Sequence, residues 1–332
     1  MLNLKPHRRV ALVAASLAMA TAVTGCAGSG SSSGGGDASF RRPVDMIVPF
    51  GPGGGADQVA RAVGKAMEGS IDTQIPAINV PGATGSTGMT KMISGRPGEA
   101  MAILIQDTLA TVPAGSASFR LDEIRAVCRV QSMPSALMVR KGTFENFKEL
   151  AAAAKAKPGE LKVATVGANS VDDIVLASMG EKLGTKFRAV PFSQPSERYA
   201  ALLGGGVDVL YEQLGDVKQY LDSGDFVPVV LVADEPVEGY EDVPDTGKLG
   251  LPPEVVLPQF RGIVVSSETS DEIVDALSSA CGDATKSSAM GKFQKDVFAS
   301  EDSYQDPAAF QKFIEQQEKL ISSQLKAYGI GG

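Results

Sequence analysis

The 332-residue chain contains one histidine, His7, and no tryptophan, and aromatic residues make up only 6% of it. His7 lies in a leader segment, so the rest of the chain has no imidazole. This excludes a Ser-His-Asp or Cys-His catalytic unit, a histidine-ligated metal and a histidine pH switch. Basic residues are outnumbered: 31 Lys and Arg face 39 Asp and Glu, for a formal net charge of −8. Without a basic stripe the chain is a poor candidate for holding nucleic acid. There is no GxGxxG fingerprint and no GxxxxGK[ST] loop, so nucleotide binding loses its main sequence support, and no CxxC or EF-hand pattern calls for a metal or cofactor. What remains is a globular composition, 43% hydrophobic and 21% charged, with a length that suggests about two domains.

The first 26 residues read as an address and an anchor. Lys5, Arg8 and Arg9 form a basic start, and Val10 to Val23 is a run of small and apolar residues too short to span a bilayer comfortably. Val23-Thr24-Gly25-Cys26 resembles a bacterial lipobox, which makes 1–25 a lipoprotein signal peptide and Cys26 the acylated N-terminus. Several acyl chains anchor stably where one does not. Residues 26–39, rich in Gly and Ser, form a flexible tether. Together these place the protein outside the cytoplasm, lipid-anchored to the outer face of the cell membrane. Later segments lack a run long and apolar enough for a membrane span. Cys128 and Cys281 remain. They either pair as a disulfide in an oxidising compartment or stay as buried free thiols, and without a histidine neither is a candidate nucleophile.

Beyond the tether, short apolar runs alternate with segments of 3–4 apolar spacing. Strands are expected at Val44–Pro49, Ile75–Val80, Met101–Ile105, Leu161–Val166, Phe187–Pro191, Val207–Tyr211, Val227–Ala233 and Ile263–Val265, with an extended stretch at 126–140. Helices are expected at 56–67, from Ser86, at Phe144–Ala156, Val171–Leu183, Pro195–Leu203, and near 270–280, 288–298 and 307–327. This alternation predicts an α/β fold with parallel sheets covered on both faces.

Three strand-to-helix loops stand out: 50–57, 81–88 and 167–173. In parallel sheets, ligands bind beyond the carboxyl ends of the strands, where such loops gather. Glycine allows the backbone to approach a ligand closely, and a helix start offers unpaired N–H groups. The loops therefore suit a carboxylate or phosphate without any Lys or Arg.

These residues carry a family resemblance. Ile47-Val48-Pro49-Phe50-Gly51-Pro52-Gly53-Gly54-Gly55-Ala56-Asp57, continuing to Ala60-Arg61, resembles the first-loop signature of the substrate-binding receptors of tripartite tricarboxylate transporters, the TctC or Bug-type periplasmic solute receptors. Val80-Pro81-Gly82-Ala83-Thr84-Gly85-Ser86-Thr87-Gly88 is similar to their second loop. The likeness continues through 134–141, 147–150, 157–161, 201–209 and 261–265, in order along the chain. It implies a two-domain periplasmic-binding-protein-like fold, each domain a mainly parallel sheet flanked by helices, joined by two crossovers. The first domain would be 40–125 and 232–332, the second 126–231. The resemblance implies a pincer for one ligand carboxylate formed by Gly53, Gly54, Gly55, Ala56 and Asp57 with Gly82, Ala83, Thr84, Gly85 and Ser86. The opposite domain would contribute Gly167, Asn169, Ser170 and Gln213, near Tyr211 and Glu212. Phe50 either lines that pocket or belongs to the core.

The chain departs from the family where relatives carry Ser, Gln and His after the position of Ser170; here Val171, Asp172 and Asp173 follow. The two acids either serve the helix dipole or face the cleft. Facing the cleft, they would repel a second ligand carboxylate and favour a monocarboxylate, an amino acid or a metal–citrate complex. The expected function is a receptor that captures a small carboxylate, such as citrate or a related organic acid, and delivers it to a membrane permease. The alternatives are a sensory module serving a membrane kinase, or a hydrolase using Asp and Ser.

Overall fold

The computed structural model describes residues 40, 42–233, 236–251, 253, 256–257, 259–301 and 303–331. The expected signal segment 1–25, the expected lipid site Cys26 and the expected tether to 39 lie outside the described residues. In chain order the elements are β1 (Asp45–Val48), α1 (Gly55–Ile71), β2 (Ala77–Asn79), α2 (Ser86–Ile93), β3 (Ala100–Ile105), α3 (Gln106–Ala110), β4 (Ile124–Met133) and β5 (Ser135–Arg140). Then come α4 (Phe147–Ala156), β6 (Lys162–Thr165), α5 (Val171–Leu183), β7 (Arg188–Pro191), α6 (Pro195–Leu203), β8 (Val209–Gln213), α7 (Lys218–Asp222) and β9 (Phe226–Val232). The chain ends with β10 (Gln259–Ser266), α8 (Asp271–Lys286), α9 (Ser288–Asp296) and α10 (Pro307–Tyr328). None of the described helices is long and apolar enough to cross a membrane.

Local chemistry explains the boundaries. Helix α1 buries Val59, Val63 and Met67 on one stripe, the spacing of a surface helix. The Asn146 side chain accepts the Glu149 N–H at 3.1 Å to open α4, and Asp306 accepts the Ala309 N–H at 2.8 Å to open α10, with Pro307 in its first turn. The short α3 and α7 have no 3.6-residue pattern long enough to be legible in the sequence.

The strands form two five-stranded sheets, ordered β2-β1-β3-β10-β4 and β7-β6-β8-β5-β9. The two orders are equivalent. Each has a parallel trio followed by an antiparallel strand: β10 runs against β3 and β4, and β5 runs against β8 and β9. Both sheets are therefore mixed rather than wholly parallel. The reversed strands are those that arrive from the other sheet. No helical crossover dictates their direction, so the right-handed βαβ rule does not apply to them.

The extended stretch 126–140 is two strands in different sheets, divided at Pro134. Proline lacks the N–H that a continuing ladder needs. The passage between sheets therefore lies at Pro134, and a boundary at 125/126 falls inside β4, which pairs with β10 in the first sheet.

One apolar cluster packs α1 and α8 on the first sheet through Val59, Val63, Met67, Met101, Ile263 and Leu277. A larger one runs from Leu104 and Phe260 through Ile174 and Tyr211 to Phe310 and Ile314, joining both sheets by way of α5 and α10. Cys128 on β4 and Cys281 on α8 are disulfide-bonded, which resolves the two readings of that pair. The bridge closes a loop of 153 residues. A loop of that length is worth about 5 kcal/mol in the chain-entropy account. Replacing both cysteines with alanine is expected to lower the urea midpoint of unfolding, and adding reductant to the variant should change nothing further.

Candidate functional site

The carboxyl ends of β1, β2 and β3 and those of β6 and β8 open into loops that meet between the two sheets. In the first loop, Gly53 has φ +85° and Gly54 opens α1. Asp57 organises this turn. Its carboxylate accepts the Gly53 N–H at 3.1 Å, Arg61 at 2.8 and 3.0 Å, and Asn79 at 3.0 Å. The same Asn79 amide donates to the Phe50 carbonyl at 2.9 Å. Burial works to raise the Asp57 pKa, but the bonds from Arg61, Gly53 and Asn79 outweigh it and hold the carboxyl below its usual value. Asp57 thus positions the loop. Phe50 is buried in the apolar cluster with Val48, Ala56 and Val166, its ring end beside Gly85.

The second loop is the most constrained segment of the site. Gly82, Ala83, Thr84 and Gly85 all have positive φ, at 136°, 47°, 51° and 91°. For Ala83 and Thr84 that costs on the order of 1 kcal/mol each, and such strain concentrates at ligand clamps. The Ser86 hydroxyl is engaged elsewhere, accepting the Ser118 N–H at 2.7 Å. The Thr84 hydroxyl crosses to the third loop, donating to the Ala168 carbonyl at 3.3 Å.

In that third loop Asn169 has φ +58°, and Ser170 donates to the Gly167 carbonyl at 3.2 Å. Asp173 accepts the Ser170 N–H at 3.2 Å, a capping interaction. Asp172 behaves differently. It is fully buried, and one carboxylate oxygen accepts the Val166 N–H at 2.7 Å. Gln213 sits at the end of β8, donating to the Ser135 hydroxyl at 3.3 Å and accepting from Arg261 at 3.3 Å.

The two halves touch through glycines. A Cβ on Gly51 would lie 1.7 Å from Gln194 Oε1, on Gly54 2.5 Å from Pro195 Cγ, on Gly55 2.1 Å from Asp216 Oδ1, and on Gly167 2.3 Å from Thr84 Oγ1. Of the sequence-predicted site residues, Gly54, Gly55 and Gly167 therefore meet the opposite half closely across one seam, while a Cβ on Gly53 would meet nothing within 4 Å and one on Gly82 would meet Thr87 of its own loop.

The seam also contains charges that sequence reasoning missed. Arg198 pairs with Glu212, whose carboxylate also accepts the Tyr199 hydroxyl at 3.2 Å. Arg261 on β10 pairs with Asp216 beyond β8 and donates to Gln131 at 3.0 Å, tying one sheet to the other. Basic side chains do reach this region, each engaged with an acid. Asp107, at the end of β3, accepts the Val171 N–H of α5 at 3.1 Å. Burial pushes the Asp107 and Asp216 carboxyls up to about 6, opposed by the Val171 N–H at Asp107 and by Arg261 at Asp216. Burial, then the charge of Asp107, raises Asp172 well above the ordinary carboxylate range. The available signal was a charge inside an apolar strand, as at Glu212 after Val209-Leu210-Tyr211 and Arg261 before Gly262-Ile263-Val264, which is too costly to bury unpaired.

Gly54→Val should prop the halves apart against Pro195. The expected readout is a larger radius of gyration by small-angle X-ray scattering, with helix content unchanged by circular dichroism. The raised Asp107 carboxyl has a defined sign in stability. Its unfolded value is near 3.8 and its folded value about 6, so between these the folded state keeps a proton that the unfolded chain has lost. Wild type should therefore lose stability relative to Asp107→Asn as pH rises from about 4 to about 6, and the two curves should run parallel outside that window. Urea unfolding at stepped pH measures it.

The family model for the tripartite tricarboxylate transporter family receptor matches residues 59–330. Protein BugT of Bordetella pertussis is 25% identical over 256 residues, covering 75% of this chain and 78% of its own. The periplasmic binding protein BugD superposes with a TM-score of 0.81 at 22% identity, covering 88% of this chain and 99% of its own. MatC from Rhodopseudomonas palustris, solved with bound malate, gives 0.79 at 25% identity, covering 86% and 99%. Families of this kind bind solutes outside the cytoplasm and do not catalyse reactions on them. The chain belongs to the tripartite tricarboxylate transporter receptor family and is a solute-binding receptor of the TctC and Bug type.

Proposed function

We propose that the chain captures a small organic acid between its two sheet-and-helix lobes and hands it to the permease of a tripartite transporter, held at the membrane by lipid on Cys26. The observation that carries this reading is the second loop. Residues 82–85 keep a strained run of positive φ, and the Thr84 hydroxyl within it reaches the opposite lobe at the Ala168 carbonyl. Backbone N–H groups of this loop and of Gly54–Ala56 in the first would hold one carboxylate, with Asp57 bracing its loop through the Gly53 N–H. Gly167, Asn169 and Ser170 would close over it, while Gln213 stays with the Arg261 and Asp216 pair that locks the lobes. Malate bound to MatC supports a carboxylate as the ligand class.

Such binding acts by population shift. The closed arrangement is the one in which both lobes touch the ligand, so ligand stabilises it, and the permease can read the closed shape. A ligand at a hundred times its dissociation constant should add about 2.7 kcal/mol of stability. Thermal unfolding against a panel of mono-, di- and tricarboxylates and amino acids is the test, with native mass spectrometry of protein extracted from membranes to identify ligand and acyl mass. The receptor reading is wrong if none of the panel raises the melting temperature, and the anchor reading is wrong if the N-terminus is not acylated Cys26.

A further inference from the structure

The charges at the seam do not balance. Arg198 has Glu212 and Arg261 has Asp216, which leaves Asp107 and Asp172 without a cationic partner in hydrogen-bonding contact among the described residues. The two acids come from opposite lobes, Asp107 on α3 and Asp172 on α5, and they are 1% and 0% exposed. Closing the lobes brings them together, as the bond from Val171 N–H to Asp107 shows. Each spends one oxygen on a backbone N–H. The second Asp172 oxygen, Oδ1, is buried with no hydrogen-bond partner among the described residues.

It has company. The Tyr211 hydroxyl, fully buried on β8, makes at most loose contact with Ser135 and Gln259 among the described residues, and it lies within the field of both carboxylates. The Thr108 hydroxyl, next along from Asp107, is likewise buried and unpartnered, and it faces Gly85 of the second loop. Among the described residues, unsatisfied polar atoms thus run from the proposed carboxylate loops to a pair of acids, with the donors Arg198 Nε and Gln259 Nε2 beside them. Buried groups of this kind are costly unless something pairs with them.

The partner missing at Asp172 Oδ1, an acceptor, is a donor. A second carboxylate would be a third negative group beside Asp107 and Asp172. No set of three or more His, Cys, Asp or Glu among the described residues is placed to hold a metal ion. An ammonium group brings one positive charge and three donors, enough for Asp172 Oδ1, the Tyr211 hydroxyl oxygen and Asp107.

We propose that the ligand is an amine-bearing carboxylate, such as an amino acid, whose ammonium group is received between Asp107 and Asp172 while the two loops hold its carboxylate. This rests on the receptor reading above and narrows its ligand class. Asp172 is then the residue that sets specificity.

Isothermal titration with matched pairs tests it: succinate against aspartate, glutarate against glutamate, propanoate against alanine, with malate and citrate alongside. At least one amine-bearing member should bind tenfold or more tightly than its amine-free partner. Asp172→Asn keeps an acceptor for the Val166 N–H and should erase that preference, lowering affinity for the amine-bearing member at least tenfold and leaving the amine-free one unchanged or tighter. Asp107→Asn and Tyr211→Phe should shift the same ratio in the same direction, so the comparison survives should one variant fold poorly. Amine-free acids that bind as tightly as their partners, or an Asp172→Asn variant with an unchanged ratio, overturn this inference and leave the receptor reading standing. Binding of none of these acids overturns both.

Discussion

Closure of the two lobes depends on a seam from which side chains are missing. Gly51, Gly54, Gly55 and Gly167 each face a side chain, mostly from the opposite half, at a distance that leaves no space for a Cβ. Backbone therefore approaches the opposite surface directly, and the groups it presents are amide N–H and carbonyl. That is the chemistry needed to hold a carboxylate when residues 8–332 contain no imidazole. The strained run from Gly82 to Gly85 belongs to the same seam, since its Thr84 reaches the Ala168 carbonyl and leaves no space for a Cβ on Gly167.

Behind the glycine seam the lobes are joined by charge. Arg261 reaches from a first-sheet strand to Asp216 and Gln213 of the second. Arg198 and Glu212 form a second pair within the second lobe. Buried pairs of this type contribute little net stability, since desolvation offsets most of the attraction, but breaking one leaves an uncompensated charge. They therefore fix the geometry in which the lobes meet. Against that paired background Asp107 and Asp172 are the exception: two acids that closure brings together, with burial raising both carboxyls and the charge of Asp107 adding to the rise at Asp172.

Much of the fold was legible. Apolar runs and 3–4 spacing located α5 and α6 to the residue, because Ser170, Pro195 and Gly184 mark their ends chemically. The loops at 50–57, 81–88 and 167–173 were legible for the same reason, since glycine clusters between a strand and a helix have a specific backbone meaning. The direction of β5 and β10 was not. Strand direction depends on which sheet the preceding segment left, and a single residue, Pro134, separates β4 from β5. The two candidate roles of Asp172 were also inseparable along the chain, because an acid at a helix start looks the same whether it meets solvent or another lobe.

By itself the sequence determined the elements, the loops, the absence of histidine chemistry and the family, since each is a property of neighbouring residues or of residue type. Only the tertiary structure decided which residues, far apart in the chain, share the seam. Asp107 and Asp172 are 65 positions apart and Asp216 and Arg261 are 45, and nothing local couples them. Their partnership exists because two equivalent sheets fold toward each other and a low-dielectric interface makes every unpaired charge count.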